Sequence, residues 1–201
     1  ILLAGGQGTR LRPTTNLINK HLLPIYDKPM IFYSLSIIML SKIRNICIVS
    51  DSNTLNILKN FFGSGKWLGL RLSYIEQKKS LGIANGISLA KKFINKSNFC
   101  LMLGDGFFYG SDLTNYLKLA QKENKDGKIF SYEVKNPSYF GVIHEKKNSI
   151  KIFEKPKKFL GNKIVTGLYF LPGYALDLAK KTKFSNRGEM EITNILNHLL
   201  K

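Results

Sequence analysis

The sequence predicts an α/β domain of three layers, with helices on both faces of a mixed, mainly parallel sheet. Three observations lead there. Short runs rich in Ile, Val and Leu alternate with helical stretches of about a dozen residues as far as position 121, and that alternation makes parallel strands joined by crossovers. Three glycines, at positions 5, 6 and 8, interrupt the chain directly after its first apolar run. From residue 129 the helical periodicity gives way to closely spaced strand candidates.

The elements follow in order. Residues 1–4 are a strand remnant that breaks into Gly5-Gly6-Gln7-Gly8. Pro29 stands where a first helical turn begins, and an apolar pattern runs over 30–40. A strand at 45–49 is followed by Asp51 or Ser52, either suited to cap a helix that ends near 61. A strand over 70–75, a helix over 82–93 and a fully apolar strand over 99–103 come next. Asp112 opens a helix to about 121. Strands at 129–134, 140–144, 149–154 and 165–171 are too close for crossovers, so they form hairpins or a mixed-sheet extension over one side of the site. Two helices, 172–181 and 188–199, close the chain.

With 201 residues the chain is long enough for one sizeable core, and its 44% hydrophobic and 11% aromatic content excludes a disordered protein. Because a strand is already running at residue 1, the chain reads as a single domain over 1–201 truncated at both ends. The 31 Lys plus Arg against 13 Asp plus Glu give a net charge of +18. The excess is mostly lysine scattered through the chain, which suits solvated faces; no specific nucleic-acid partner is read from it. Cys47 and Cys100 each lie inside an apolar strand, as reduced core thiols of a cytoplasmic protein do. No apolar run is long enough to span a bilayer, so no membrane partner is expected.

The stretch from Leu3 to Pro13, Leu-Ala-Gly-Gly-Gln-Gly-Thr-Arg-Leu-Arg-Pro, carries the chemistry. Glycines after a strand let backbone amides approach phosphate, and Arg10 adds a charged fork, with Lys20 a short way downstream. The spacing fits neither the dinucleotide fingerprint nor the Walker pattern. Asp105 follows the apolar strand at its C-terminal end, where open α/β sheets place ligands; a helix cap is the plainer alternative. Gln77 follows another strand; its amide offers both a donor and an acceptor, but on the residues alone an exposed polar loop residue is the plainer reading.

These segments resemble the sugar-1-phosphate nucleotidyltransferases, whose pattern L-x-G-G-x-G-T-R-L precedes a lysine and an apolar-proline pair; here Lys20-His21-Leu22-Leu23-Pro24 stands there. Ile25-Tyr26-Asp27-Lys28-Pro29-Met30-Ile31 is similar to the bacterial thymidylyltransferases that act on glucose 1-phosphate. Leu103-Gly104-Asp105, Phe108-Tyr109-Gly110, Glu154-Lys155-Pro156, the run Val165 to Phe170 and Arg187-Gly188-Glu189 continue the match in order. The resemblance implies a Rossmann-like nucleotidyltransferase fold and transfer of thymidylyl from dTTP to glucose 1-phosphate, giving dTDP-glucose and pyrophosphate, as in dTDP-rhamnose and polysaccharide biosynthesis. It implies catalytic roles for Arg10, Lys20 and Asp105, with Asp105 holding Mg²⁺. It implies nucleotide contacts from Leu3, Gly5, Gly6, Gly8, Thr9, Arg10, Gln77 and Gly82. Sugar-phosphate contacts fall to Gly141, Glu154, Lys155, Val165, Tyr169 and Arg187, and a homo-oligomer is expected.

The chain departs from the family pattern at several places. Gly106 stands for the usual asparagine after the aspartate, Phe140 for the tyrosine of Tyr-Gly-Val, and His21, Asn85 and Asn194 for Gln, Gln and Asp. A second metal-binding aspartate sits in the family downstream of the Arg-Gly-Glu block, in a Trp-x-Asp-x-Gly-like segment that does not occur before Lys201. Two alternatives therefore stand beside the enzyme: a non-catalytic nucleotide-sugar-binding or regulatory homologue, and a uridylyltransferase using another sugar 1-phosphate.

Overall fold

A computed structural model describes residues 1–6, 8–147 and 149–200; Gln7 of the glycine loop lies outside the described residues. The first half runs β1 (Leu2–Leu3), β2 (Pro24–Ile25), β3 (Lys28–Pro29), α1 (Met30–Leu40), β4 (Asn45–Ser50), α2 (Ser52–Phe62), β5 (Arg71–Glu76), α3 (Ile83–Leu89), α4 (Lys91–Ile94) and β6 (Phe99–Leu103). The second runs α5 (Leu113–Lys122), β7 (Lys128–Glu133), β8 (Gly141–Lys146), β9 (Ser149–Glu154), β10 (Lys163–Leu171), α6 (Ala175–Lys181) and α7 (Ile192–Leu199).

The main sheet has the order β5-β4-β1-β6-β10-β8-β9, and β7 also pairs with β10. The four strands β5, β4, β1 and β6 are parallel, with Leu2 in register with Ile48 on one side and Met102 on the other. From β10 outward every pairing is antiparallel, so the closely spaced strands of the second half extend the same sheet. The strand period of two sends neighbouring residues to opposite faces. Leu3, Leu101 and Tyr169 join a core under α3, α6 and α7, while Leu2, Met102 and Phe170 join a second core under α1, α2 and α5. These are the three layers the sequence predicts.

Several ends differ from the sequence expectation for local reasons. The helix expected over 82–93 is two, α3 and α4, parted at Ala90, whose N–H is shared between the carbonyls of Gly86 and Ile87. The helix expected from 172 starts at Ala175, because Pro172 and Gly173 form a turn pressed against Lys96: a Cβ on Gly173 would lie 1.8 Å from the Lys96 carbonyl oxygen. The helix expected from 188 starts at Ile192, since Ser185 and Gly188 close a separate turn before it. Asp51 is the cap expected of it, accepting from the Thr54 amide at 2.9 Å. Asp112 precedes α5 but adopts a left-handed conformation, and its carboxylate meets the Asn115 side chain instead of a backbone amide.

Candidate active site

The loops leaving the C-terminal ends of β1, β4, β5 and β6 converge at one edge of the parallel sheet. The phosphate end is built on the glycine loop. Gly8 is left-handed (φ 59°), and a Cβ there would lie 3.0 Å from both Lys20 Cβ and Thr15 Cγ2, so the position needs glycine. A Cβ on Gly6 would lie 3.3 Å from Lys20 Cε. The lysine thus runs along the glycine loop, and its ammonium forms an ion pair with Asp105, which lies just beyond β6. Leu3 has its side chain in the core, and its carbonyl accepts from the Gly104 amide at 2.7 Å. Thr9 and Arg10 stand exposed in the short 3-10 turn Thr9–Leu11. The Arg10 guanidinium lies over the Tyr139 ring, 4.8 Å from the centroid.

Residues that sequence reasoning did not single out hold this end in place. Asn19 caps the 3-10 turn Lys20–Leu22: its Oδ1 accepts from the His21 amide at 3.0 Å and faces His21 Nδ1 at 2.6 Å. Its Nδ2 donates to the Ala4 carbonyl and to Asp51 Oδ2, each at 3.0 Å, tying the lysine turn to β1 and to the cap of α2. Ser34 of α1 donates to the carbonyls of Leu103 (3.0 Å) and Gly106 (2.9 Å), fixing the turn that carries Asp105. An asparagine before a short polar turn is a readable cap signal; a serine on the buried face of α1 gives none.

Electrostatics separate these groups. Burial pushes the Asp105 carboxyl up, but the Lys20 charge and hydrogen bond outweigh it and hold the group below its ordinary range. His21 is 2% exposed, and burial, helped by the Lys20 charge, lowers its pKa to about 4, so the ring is neutral near pH 7.

At the base end, Gln77 is buried after β5 and donates from Nε2 to Asn85 Oδ1 at 2.8 Å. A Cβ on Gly5 would sit 2.7 Å from Gln77 Oε1, so glycine at 5 makes room for the amide. Gly82 (φ 99°) faces the Met190 backbone, where a Cβ would meet the carbonyl oxygen at 2.6 Å. That glycine docks the first half against the turn carrying Arg187.

At the opposite end, Gly141 pairs in register with Glu154 across the β8–β9 hairpin. Arg187 reaches Glu154 at 3.4 Å, Glu189 at 3.2 Å and Glu191 at 3.7 Å. Burial and the nearby Glu191 raise the Glu154 pKa, with Lys155 and Arg187 opposing. Lys155 follows in a left-handed conformation (φ 41°), its amide bonded to the Phe140 carbonyl at 2.9 Å. Val165 and Tyr169 of β10 are buried, and burial pushes the Tyr169 hydroxyl pKa up. A cleft of about 910 Å³ is lined by Asp105, Gly106, Gly141, Glu154, Lys155, Val165 and Tyr169 together with a run of aromatic residues. The structure therefore gathers the sugar-phosphate candidates apart from Arg187 around one cavity with Asp105. Lys20 touches that cavity through Asp105, and Gln77 lies beyond the glycine loop from it.

Asp105 is the carboxylate that meets Lys20 at the phosphate end. Among the described residues there is no group of three or more His, Cys, Asp or Glu side chains placed to hold an ion. A single anionic oxygen donor suits Mg²⁺ where phosphate and water oxygens complete the octahedron, so Asp105 fits that ion in the presence of a nucleotide.

The family described as Nucleotidyl transferase matches residues 1–201. A glucose-1-phosphate thymidylyltransferase of Neisseria meningitidis is 42% identical over 197 residues, covering 97% of this chain and 68% of that protein. One of Xanthomonas campestris pv. campestris is 41% identical, covering 97% and 67%. Among solved structures, a Bacillus anthracis protein assigned as a glucose-1-phosphate thymidylyltransferase, in complex with a sucrose, superposes with a TM-score of 0.89. It is 34% identical, with 99% of this chain and 81% of that one covered. A UDP-glucose pyrophosphorylase complexed with UDP-glucose gives a TM-score of 0.85 at 27% identity, covering 100% and 85%.

Proposed function

The chain belongs to the nucleotidyl transferase family, and from that premise we propose that it transfers a thymidylyl group from dTTP to glucose 1-phosphate, giving dTDP-glucose and pyrophosphate. One observation carries the reading: the Lys20–Asp105 pair stands on the glycine loop with the buried Gln77 amide on one side and the Glu154–Arg187 cluster on the other. That order matches a nucleotide sugar laid out as base, phosphates and sugar.

In this mechanism a phosphate oxygen of the sugar 1-phosphate attacks the α-phosphorus of dTTP. The bond from that phosphorus to the bridging oxygen breaks, and pyrophosphate leaves. The attacking oxygen is already anionic, so no general base is required. Backbone amides of Gly5, Gly6, Gly8 and Thr9 receive the triphosphate, and Arg10 and Lys20 offset charge gathering on the oxygens. Lys20 exchanges its contact with Asp105 for phosphate. Asp105, ionised at neutral pH as an ordinary carboxylate is, would hold Mg²⁺, which when bound neutralises phosphate charge. Gln77 reads the base beside Gly5; Glu154 accepts from sugar hydroxyls, while Lys155 and Arg187 neutralise the sugar phosphate. Leu3 seats the glycine loop on the core, Val165 shapes the cleft wall, Gly82 docks on the Met190 backbone, Gly141 allows close backbone approach, and Tyr169 packs under the sugar.

Among the described residues no helix is long and apolar enough to cross a membrane. The buried thiols of Cys47 and Cys100, each pushed up to about 11 by burial, support a cytoplasmic setting in the reduced form. An exposed apolar patch of Ile57, Phe61 and Trp67 supports the expected homo-oligomer.

The test is pyrophosphate release by the full-length protein with dTTP, UTP or CTP against several sugar 1-phosphates. The reading expects dTTP with glucose 1-phosphate to be the best pair. A preference for UTP would reassign the base, and nucleotide-sugar binding without turnover would favour a regulatory homologue.

A further inference from the structure

Arg10 rises from an exposed 3-10 turn, and its guanidinium lies over the Tyr139 ring. Tyr139 belongs to the other half of the protein. It ends the short turn Pro137–Tyr139 that leads into β8. Its neighbour Phe140 is held on both sides: its amide donates to the Pro137 carbonyl at 3.0 Å, and its carbonyl accepts from the Lys155 amide at 2.9 Å. Tyr139 is 54% exposed and lines the cleft, so its surroundings are those of a wall and not of a core.

We propose that Tyr139 is the positioning residue for Arg10, holding the guanidinium at the cleft from the sugar-side hairpin. The physics favours holding over competition. A guanidinium centred over a ring, here 4.8 Å from the centroid, keeps the N–H groups that point away from the ring free to donate to phosphate oxygens. A long side chain on an exposed turn otherwise samples many rotamers, and each one lost on binding weakens the contact it makes. Anchoring the ring next to Phe140, Gly141 and Lys155 also joins the triphosphate cation to the backbone that carries the sugar pocket. The inference rests on assigning Arg10 to the triphosphate, as above.

The test compares the full-length wild type with Tyr139→Phe, Tyr139→Leu, Arg10→Ala and the Tyr139→Leu/Arg10→Ala double variant. The dTTP dissociation constant is measured by calorimetry, and kcat and KM for each substrate by pyrophosphate release. Tyr139→Leu is expected to weaken dTTP binding and lower kcat/KM for dTTP roughly 2- to 30-fold, the range of a cation–π contact. Tyr139→Phe keeps the ring and should stay within about twofold. KM for glucose 1-phosphate should be unchanged, and Tyr139→Leu should add nothing in the Arg10→Ala background. An equal loss in that background, a loss confined to the sugar-phosphate KM, or a Tyr139→Leu variant indistinguishable from wild type would overturn the proposal. A wild type that binds dTTP without turnover would overturn the functional reading and leave the binding comparison to decide Tyr139. A wild type that binds no dTTP would overturn both.

Discussion

Replacing Asn19 with alanine removes the hydrogen bonds that join the lysine turn to the rest of the site. The side chain donates to the Ala4 carbonyl and to Asp51 Oδ2, each at 3.0 Å, and accepts from the His21 amide at 3.0 Å, with His21 Nδ1 at 2.6 Å. The Ala4 carbonyl keeps a second donor, Ser50 Oγ at 2.7 Å, so its loss matters least. Loss of the cap costs about 1 kcal/mol. Loss of the contact to the Asp51 carboxylate and of the partner to a buried imidazole adds about 1–3 kcal/mol. These losses share atoms and do not add fully, so about 3 kcal/mol is the working figure. For a chain of 201 residues that is a fall in Tm of roughly 6–12 °C. Lys20 is the residue that the cap presents, so kcat should fall at least about tenfold as well. Differential scanning calorimetry and the pyrophosphate assay read the two effects. A variant melting within about 2 °C of wild type with unchanged kcat would refute the claim that Asn19 organises the phosphate end.

Arg10→Ala should lower kcat by roughly 10²- to 10³-fold, measured by pyrophosphate release, while leaving Tm in place, because the side chain is exposed and lost charge stabilisation is the main effect. Stability should fall as pH drops from about 6.5 to about 4, followed by chemical denaturation across that window. The His21 pKa, lowered by burial to about 4, lies below that of an unfolded imidazole, so there the unfolded chain binds more protons; the contribution is complete above pH 6.5 and amounts to roughly 3 kcal/mol. Asp105, held below its ordinary range, adds a loss at lower pH still, and His21→Gln should remove the first loss but not the second. Gly106→Asn, which restores the family residue, should cost no more than about 1 kcal/mol, because the atom its Cβ would meet at 2.7 Å, Met102 Cε, is the end of a flexible side chain that can turn aside. A loss of more than about 3 kcal/mol in the same denaturation assay would show that Met102 cannot move.

Strands with an unbroken apolar character, such as 99–103, were legible because both faces of a central parallel strand are buried. Alternation of strand and helix fixed the layers for the same reason. The ends at 172 and 188 were not, since they depend on Gly173 meeting Lys96 and on the Ser185–Gly188 turn, which are contacts made only in three dimensions. In the site, glycine spacing with Arg10, Lys20 and Asp105 pointed to phosphate chemistry, because like-charged oxygens require amides and cations nearby. Which of these touch was beyond sequence: Lys20 meets Asp105 across 85 positions, whereas Arg10 meets Tyr139. Ser34 and Asn19 escaped notice because a polar residue on a helix or turn looks solvated until its partners are known. Gly5 and Gly82 appeared as ligand contacts, yet each also makes room for a protein neighbour, the Gln77 amide and the Met190 backbone.

The central claim is that the α-phosphorus of dTTP passes to glucose 1-phosphate. It is tested most directly by incubating the full-length protein and glucose 1-phosphate with dTTP labelled either at the α- or at the γ-phosphorus, then separating nucleotide sugar from pyrophosphate. The account predicts that the α-label enters dTDP-glucose and the γ-label appears only in pyrophosphate. Label from the γ-position in a sugar product, or no labelled nucleotide sugar from either substrate, would contradict it.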